Sequence, residues 1–296
     1  MQGMLRRAFT HAIKMGFMKK SILTSHRALI KNFGKENEDF LQLFGIYKET
    51  IDPALDYETF LQLYYSETLV AIDFSLFFFG NKRAGFSAAF FYSAIVNGKP
   101  SFIGRSATGL NEDFQGQGLH NKFELYFKFI RFALSHPRKP LWVTVFVVNP
   151  FVFSELCRLV PVFFPRVKKH TPVTVQKIMD EIIDRSGHSR DEKCPYSVKV
   201  PIQVKFNEKL LTRIFGSDDP NVEWYLKQNS GFLDKYGLLV VISVSFSNIG
   251  GTLFNFTMLN YSKKLNRLYK SFKSNANVTK QKIIILVETM VKKWVL

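Results

Sequence analysis

The sequence predicts a mixed α/β (α+β) fold in which a mostly antiparallel sheet is flanked by helices. Three apolar segments separated by glycine-containing turns indicate an antiparallel meander; they are residues 68–79, 86–96 and 101–110. The second turn, Asn97-Gly98, is typical of a two-residue hairpin. A turn over residues 111–118 then precedes apolar residues spaced three or four apart, which predicts a long helix that ends before Pro137.

Further elements are expected on both sides of this meander. Residues 36–66 contain two aromatic-rich stretches separated by Asp52-Pro53, which predicts a pair of helices. Residues 141–148 are rich in β-branched side chains, which favours a buried strand, and an amphipathic segment follows at 152–159. We therefore divide the chain into a basic amphipathic N-terminal helix within 1–35, a domain over 36–166, and a C-terminal α/β region over 167–296 with a basic tail.

The net charge of +17 is concentrated at the two ends of the chain. Residues 1–35 contain eight Lys or Arg and no acidic residue, and residues 263–296 contain nine with Glu288 as the single acid. The amphipathic pattern at 4–17 is compatible with peripheral contact to an anionic membrane, with a transit-type leader, or with a helix whose basic face is solvated. We expect no nucleic-acid partner, because the basic residues do not alternate with aromatic ones as in known modules.

Cysteine usage and hydropathy restrict the compartment. Cys157 and Cys194 cannot form a disulfide framework, and no His or Cys spacing predicts a metal site, which favours a cytoplasmic protein with peripheral membrane association as the alternative. Residues 238–259 carry no charge over 22 positions, which is long enough to cross a bilayer. The serines, asparagines and glycines in this segment favour instead a strand followed by a helix, with Ser247 or Asn248 as its N-cap.

The turn before the long helix has the composition of an anion site. Gly116 and Gly118 leave the backbone uncovered by Cβ atoms, so a ligand can approach the main chain closely. The first N–H groups of a helix have no partner within the helix and carry the positive end of its dipole. A diphosphate fits that geometry, although a tight connection between strand and helix accounts for the same two glycines.

The run from Leu110 to Leu119, LNEDFQGQGL, resembles the acyl-CoA signature of the GNAT (Gcn-related N-acetyltransferase) superfamily. That signature has an apolar residue closing a strand, a short acidic or proline turn, an aromatic residue, and Gln/Arg-x-x-Gly-x-Gly/Ala. The sixth place is His120, where the family usually has Gly or Ala, and the resemblance covers about residues 36–166. The first five places are filled by Gln115, Gly116, Gln117, Gly118 and Leu119.

The resemblance implies a GNAT-like fold and an acetyl-CoA or longer acyl-CoA as co-substrate. The strand that closes at Leu110 would pair its backbone with the pantetheine arm, and the N–H groups of Gln117 to Asn121 would hold the diphosphate. The implied cofactor-binding residues are Leu110, Gln115, Gly116, Gln117, Gly118, Leu119, His120 and Asn121.

Three further residues are catalytic candidates. The resemblance implies that Asn149, directly after a strand, orients the pantetheine or a bridging water, and that Cys157 occupies about the place of the family's general-acid tyrosine. Cys157 would then protonate the leaving thiolate, the alternative being an inert buried cysteine. Asp73 stands in an otherwise apolar strand, where a buried carboxylate could serve as general base and an edge or solvent-facing carboxylate is the alternative.

The sequence thus favours an acyltransferase that moves an acyl group from an acyl-CoA, or another phosphopantetheine thioester, to an amine or similar acceptor. Two alternatives from other classes stay open. The first is a GNAT-like protein that binds CoA or a partner without turnover, which the missing tyrosine and His120 suggest. The second is a basic protein associated with membranes or nucleic acid, which the charge at the chain ends suggests.

Overall fold

The structure is a computed structural model that describes residues 23–30, 37–111, 114, 122–186, 189–192, 194–200, 206 and 208–274. These residues belong to two compact units. The larger unit spans Met1–Cys157 and Val162–Ser245, and the smaller one spans Arg158–Pro161 and Phe246–Leu296.

The larger unit contains the whole sheet. Its strands, within the described part of the chain, are β1 (Leu23–Ile30), β2 (Leu69–Phe79), β3 (Lys82–Val96), β4 (Lys99–Leu110), β5 (Leu141–Val147), β6 (Phe163–Phe164), β7 (Ser197–Lys199) and β8 (Tyr236–Ser243). Its helices are α1 (Glu38–Thr50), α2 (Tyr57–Tyr64), α3 (Lys122–Ser135), α4 (Pro150–Leu159, whose last two residues belong to the smaller unit), α5 (Val173–Ser186), α6 (Glu208–Phe215) and α7 (Pro220–Gln228).

The strands follow the order β1-β2-β3-β4-β5-β8-β6, and β7 also pairs with β8. Every pairing between neighbouring strands is antiparallel except that of β4 with β5, which is parallel. The parallel pair is connected through α3, as expected of a crossover. The predicted mixed fold with a mostly antiparallel sheet flanked by helices is therefore confirmed.

Local sequence signals account for the boundaries of these elements. Asn97 and Gly98 both adopt positive φ, 50° and 72°, which is the two-residue turn that joins antiparallel strands without splaying them. Asn37 and Asp56 act as N-caps, since their side chains accept hydrogen bonds from the N–H groups of Phe40 and Thr59 at 3.1 and 2.7 Å. The predicted hairpins and the predicted helix pair within 36–66 are confirmed.

Helices α1 and α2 cover one face of the β2–β4 meander with aromatic side chains. Phe60 is fully buried there, with ring centroids 5.1 to 5.4 Å from those of Phe40, Phe44, Tyr47 and Tyr64. The last turn of α1 approaches β4 so closely that a Cβ at Gly109 would collide with the Thr50 hydroxyl. Glycine is required at that position by the close contact of helix and strand.

The opposite face of the meander packs against α3. Phe91 of β3 stacks on Phe132 of α3 with centroids 3.8 Å apart, and a Cβ at Gly104 of β4 would meet the ring of Phe129. Side chains that alternate along β4 therefore face α3 or the α1–α2 pair in turn. This alternation determines which residues reach the candidate site.

Three features of the larger unit differ from the sequence prediction or extend it. The structure places strand β1 at Leu23–Ile30, within the region 1–35 for which we predicted a basic helix; residues 4–17, where the pattern was seen, lie outside the described residues. Helix α6 was not predicted. Strand β8 belongs to the predicted C-terminal region 167–296, yet it pairs with β5 in the same sheet. The boundary at residue 166 stays a prediction, although the sheet continues beyond it.

In the smaller unit, helix α8 (Phe246–Ser274) packs on residues Arg158–Pro161. Asn255 Nδ2 donates a hydrogen bond to the Leu159 carbonyl at 3.1 Å, and a Cβ at Gly251 would overlap the ring of Pro161. Strand β8 followed by α8 confirms the strand-and-helix interpretation of residues 238–259. The predicted N-cap was wrong, because α8 begins at Phe246 and both Ser247 and Asn248 lie inside the helix. Within the residues that the structure describes, no helix is long and apolar enough to cross a membrane.

The aromatic core under α1 and α2 leads to a stability prediction. We expect Phe60→Ala to lower the free energy of unfolding by about 3–5 kcal/mol, because the cavity would be enclosed by four other rings. Phe79→Ala is the matched control, since the Phe79 side chain at the end of β2 is 42% exposed. We expect it to cost about 1 kcal/mol or less in urea unfolding. Equal losses for the two variants would contradict the assigned core.

Candidate active site

The most distinctive feature of the sheet is a gap between β4 and β5. The parallel register joins Phe102–Arg105 to Leu141–Thr144 and ends there, although β4 continues to Leu110 and β5 to Val147. Beyond the last pair, β4 stays with β3 as far as Leu110, and β5 stays with β8 as far as Val147. The sheet therefore divides into two halves that diverge from Arg105 and Thr144 onward.

Backbone alternation identifies the groups that face this gap. The Phe102 N–H donates to the Pro140 carbonyl at 2.8 Å, and the Thr144 hydroxyl donates to the Gly104 carbonyl at 3.3 Å, so the even-numbered residues of β4 direct their backbone groups toward β5. The Asn111 N–H bonds the Ala84 carbonyl on the β3 side, in agreement with this pattern. The N–H and C=O of Thr108 therefore point across the gap, past the end of the parallel register.

Arg105 lies at the inner end of the gap, on the face covered by α1 and α2. Its Nη1 donates to the Leu63 carbonyl in the last turn of α2 at 2.7 Å. The guanidinium carbon is 5.4 Å from the centroid of the Tyr64 ring and 5.7 Å from that of Phe146 in β5. A positive charge is thus held between two aromatic rings beside the last β4–β5 pair.

Three buried tyrosines surround this arginine. The Tyr64 hydroxyl donates to the Tyr47 hydroxyl at 3.1 Å, and the Tyr92 hydroxyl donates to the Tyr64 carbonyl at 2.8 Å. Burial raises the pKa of all three phenols above the usual value, while the charge of Arg105 acts in the opposite direction and does not prevail. These phenols are therefore neutral at physiological pH.

The far end of β5 is held by a second polar cluster. Tyr225 of α7 donates its hydroxyl to the Val147 carbonyl at 2.8 Å and accepts from Asn229 Nδ2 at the same distance. Asn229, which is fully buried, also accepts from the Ser197 hydroxyl at 2.6 Å. Burial raises the pKa of the Tyr225 phenol, so it stays a donor. The cluster fixes the β5 side of the gap from the side remote from β4.

Asn149 follows β5 and caps helix α4. Its Oδ1 accepts from the Phe151 N–H at 2.9 Å, and its carbonyl accepts from the Val152 N–H at 2.9 Å. The Nδ2 group makes no hydrogen bond among the described residues. The structure places this donor two residues after the end of β5, which borders the gap, and its predicted role toward pantetheine stays a prediction.

Cys157 lies near the C-terminal end of α4, seven residues after the first residue of that helix. At about 1.5 Å per residue it is about 10 Å further along the axis than Pro150. The thiol is half-buried, and the Cys157 carbonyl accepts from Arg166 Nη2 at 3.1 Å. The predicted proton transfer from Cys157 to a thiolate stays a prediction.

Asp73 is 3% exposed and lies on the α3 face of the sheet, opposite to the face that carries Arg105. Its carboxylate is 3.2 Å from Arg131 Nη2 and 3.7 Å from Lys128 Nζ. Lys128 is fully buried and donates to the Ser75 hydroxyl at 2.6 Å. The carboxylate is therefore buried, as the base hypothesis required, but it neutralises two cations of α3, and its role as general base stays a prediction.

The glycine turn itself is outside the described part of the chain. Of the predicted cofactor-binding residues the structure describes Leu110, the last residue of β4, which is half-buried. The others lie outside the described residues; they are Gln115, Gly116, Gln117, Gly118, Leu119, His120 and Asn121. In the part of the chain that the structure describes, no group of three or more His, Cys, Asp or Glu could hold a metal ion.

Sequence reasoning missed Arg105, Thr108 and Phe146, which the structure brings to the gap. One signal was available for the first of these, because Arg105 is the only charged residue between Ser101 and Leu110. A charge inside an otherwise uncharged strand indicates a special environment. Thr108 and Phe146 gave no signal, since their position depends on where the parallel register stops.

Comparison with known proteins finds similar solved structures. An aminoglycoside acetyltransferase from an uncultured soil metagenomic sample matches with 14% identity and a TM-score of 0.33, over 52% of this chain and 97% of that one. A GNAT family N-acetyltransferase from Escherichia coli in complex with CoA matches with 14% identity and a TM-score of 0.30, over 45% and 68%. An N-acyl amino acid synthase from uncultured soil microbes matches with 12% identity and a TM-score of 0.32, over 49% and 83%.

No protein-family model and no curated protein matches the chain. The identities and TM-scores of the structural matches support no conclusion about substrate, activity or individual residues. The mixed fold with a mostly antiparallel sheet flanked by helices is GNAT-like, as the resemblance of residues 110–119 implied. Its antiparallel meander ends in β4, the crossover helix α3 follows, and a parallel β5 leads through Asn149 into α4.

The buried charges around Asp73 lead to a second prediction. We expect Asp73→Asn to lower the free energy of unfolding by about 3–5 kcal/mol, because Lys128 would keep a buried charge without its carboxylate. Adding Lys128→Met should recover part of that loss. Glu49→Gln is the control, since it breaks the exposed 2.8 Å ion pair with Arg83 and should cost at most about 1 kcal/mol. No recovery in the double variant would contradict the pairing.

The tyrosines beside Arg105 predict a loss of stability at alkaline pH. Their folded-state pKa values lie above the unfolded value of about 10, so the folded state holds more protons above that pH and the free energy of unfolding falls as pH rises. Tyr92→Phe should make the fall between about pH 10 and 11.5 less steep than in the parent protein. Urea unfolding at pH 6–8 is the internal control, and an unchanged alkaline slope in the variant would contradict the buried phenol.

Proposed function

We propose that the protein is an acyltransferase that moves an acyl group from an acyl-CoA, or another phosphopantetheine thioester, to an amine or similar acceptor. The observation that carries the proposal is the divergence of β4 and β5 after Arg105 and Thr144, which leaves the backbone edge of β4 at Thr108 facing a gap. The resemblance of residues 110–119 to an acyl-CoA signature supports it independently.

The gap suits the extended, amide-containing arm of pantetheine. An edge of a strand with unpaired N–H and C=O groups accepts an extended chain as an additional strand, with main-chain hydrogen bonds giving affinity. Thr108 offers one donor and one acceptor toward the gap, and the two amides of pantetheine offer the complementary groups. The arm would run outward along β4 past Leu110, and the diphosphate would be held by the N–H groups of residues 117–121.

The thioester would then lie at the inner end of the gap, beside the last pair of β4 and β5. The acceptor nitrogen attacks the thioester carbonyl carbon, a C–N bond forms, the C–S bond breaks, the nitrogen loses a proton and the thiolate gains one. A backbone donor at the end of the parallel register would stabilise the oxyanion. Asn149 Nδ2 would orient the pantetheine or a bridging water, and Cys157 is the candidate acid for the thiolate.

Asp73, the candidate base, lies on the face of the sheet opposite to Arg105. To accept a proton from the acceptor, its carboxylate would need access to the α1–α2 face, whereas it is buried on the α3 face against Lys128 and Arg131. A base supplied by water or by the acceptor site accounts for the same chemistry. We propose a cytoplasmic enzyme, with peripheral membrane contact through 1–35 and 263–296 as an additional property.

A second candidate function is CoA binding without turnover. Helix α4 carries Leu156 and Cys157 where the family resemblance places a tyrosine, and a thiol is a poor replacement for a phenol that donates a hydrogen bond. Ligand binding with no release of free CoA in the presence of an amine would favour this candidate over an enzyme.

Thr108 allows a direct test of the proposed binding mode. We expect acetyl-CoA or a long-chain acyl-CoA at about 100 times its Kd to stabilise the protein by about 2.7 kcal/mol, which raises the midpoint of thermal unfolding by a few degrees. Thr108→Pro should abolish most of this rise, because proline removes an N–H that faces the gap rather than β3. Thr108→Val keeps the N–H and is the matched control.

Two outcomes of this thermal unfolding experiment distinguish the proposed binding mode from its absence. If thioesters raise the midpoint of thermal unfolding of Thr108→Val but not that of Thr108→Pro, pantetheine binding along the β4 edge is supported. No rise with acetyl-CoA, long-chain acyl-CoA or plain CoA, in protein that unfolds cooperatively, would overturn the assignment of the co-substrate and leave the fold alone standing.

A further inference from the structure

The guanidinium of Arg105 is the one charged group that we find at the inner end of the gap among the described residues. It is half-buried, and its contacts are the Leu63 carbonyl and the rings of Tyr64 and Phe146, with the Tyr92 phenol alongside. None of the carboxylates that the structure describes forms an ion pair with it. A partly buried charge without an opposite charge is costly, so such a position favours an anionic ligand.

The neighbouring phenols do not supply that negative charge. Burial raises the pKa values of Tyr47, Tyr64 and Tyr92, so each hydroxyl stays protonated next to the arginine. One N–H of Nη1 is used by the Leu63 carbonyl, and a guanidinium has five N–H groups in a planar fork. The fork keeps the capacity to bind a carboxylate through two parallel hydrogen bonds.

The anion is not the diphosphate of the co-substrate. Leu110 is five positions after Arg105 along β4, which is about 17 Å at about 3.3 Å per residue. The proposed diphosphate site lies beyond Leu110, at the other end of the gap. Arg105 lies instead beside the last pair of β4 and β5, where the thioester carbonyl would be, and its side chain faces α2.

We propose that Arg105 binds a carboxylate of the acceptor, so that the preferred acceptor is an amine that also carries a carboxylate, such as an α-amino acid. This inference rests on the proposed acyltransferase function and names the acceptor class of the same site. The rings of Tyr64 and Phe146 beside the guanidinium give the site an apolar border, which suits an acceptor with an aromatic or aliphatic side chain.

A purely structural role of Arg105 must be separated from this one. Leu63 is in the last turn of α2, where carbonyl groups have no partner within the helix, so the arginine also caps α2. Loss of a cap would lower stability and weaken every ligand alike. Loss of a carboxylate partner would weaken only the ligands that carry a carboxylate.

The test uses two product-like probes that differ in that group, N-acetylphenylalanine and N-acetylphenylalaninamide. Isothermal titration of the full chain should give about tenfold or tighter binding of the carboxylate probe, as expected for charge-assisted hydrogen bonds. Arg105→Gln should reduce binding of the carboxylate probe to the level of the amide probe, a selective loss beyond the equal weakening of both probes that removal of the α2 cap causes. Arg105→Lys keeps the positive charge but lacks the planar guanidinium. Its affinity for the carboxylate probe should therefore lie between that of the parent protein and that of Arg105→Gln.

Arg83→Gln is the matched control variant, because Arg83 is a β3 arginine with a carboxylate partner, Glu49 at 2.8 Å. It should leave both probes unchanged. Equal binding of the two probes to the parent protein would overturn the proposal, and so would an equal loss of both probes in Arg105→Gln. Both outcomes are independent of turnover, so they are distinguishable from failure of the acyltransferase assignment, which thioester binding reports.

A second experiment tests whether the carboxylate that Arg105 binds belongs to the acceptor or to the acyl group of the donor. Transfer is measured with phenylalanine and phenylalaninamide as acceptors and with butyryl-CoA and succinyl-CoA as donors, in the parent protein and in Arg105→Gln. The proposal expects the variant to lose the preference for phenylalanine by about tenfold in kcat/KM with either donor. A lost preference for succinyl-CoA with no change between the two acceptors would overturn it.

Discussion

The four-residue parallel pairing of β4 with β5 is the constraint on which the rest of the site depends. Each strand stays paired along its other edge, β4 with β3 and β5 with β8, so both strands continue beyond Arg105 and Thr144 without pairing with each other. The N–H and C=O of Thr108 then face the gap without the strand partner that a continuous sheet would provide within the described residues, and such groups favour an extended ligand. The chemistry that we propose follows from where one ladder of hydrogen bonds stops.

Packing on both faces keeps that gap in place. The aromatic cluster around Phe60 holds α1 and α2 against β2–β4, while the ion pairs of Asp73 with Lys128 and Arg131 tie α3 to the other face. On the β5 side, the Tyr225–Asn229 cluster is anchored to the Val147 carbonyl. Each half of the sheet thus has its own supports. Arg105 contacts both halves, through Leu63 and Tyr64 on one and Phe146 on the other, and the Thr144 hydroxyl also joins them through the Gly104 carbonyl.

Much of the fold could be predicted from the sequence, because its signals are local. Asn97-Gly98 specifies a hairpin through its own backbone preferences, and Asp56 or Asn37 specifies the start of a helix through a hydrogen bond three residues away. The pairing of β8 with β5 joins residues about a hundred positions apart and leaves no trace in periodicity. The same limit applies to the site. The glycine turn and Asn149 carry a recognisable pattern, whereas Arg105 and Thr108 acquire meaning only from the position at which β4 and β5 separate.

The opening between the strands is made by strand lengths and register rather than by the side chains at its borders. Lengthening the parallel ladder by three pairs would close the opening at Thr108, whereas exchanging the side chains beside it would leave the main-chain edge intact. The residues that shape the opening between β4 and β5 are therefore different from the residues that would select a ligand. Related sequences could retain the same opening between β4 and β5 while the few residues at its inner end, Arg105 first among them, are exchanged to suit different ligands.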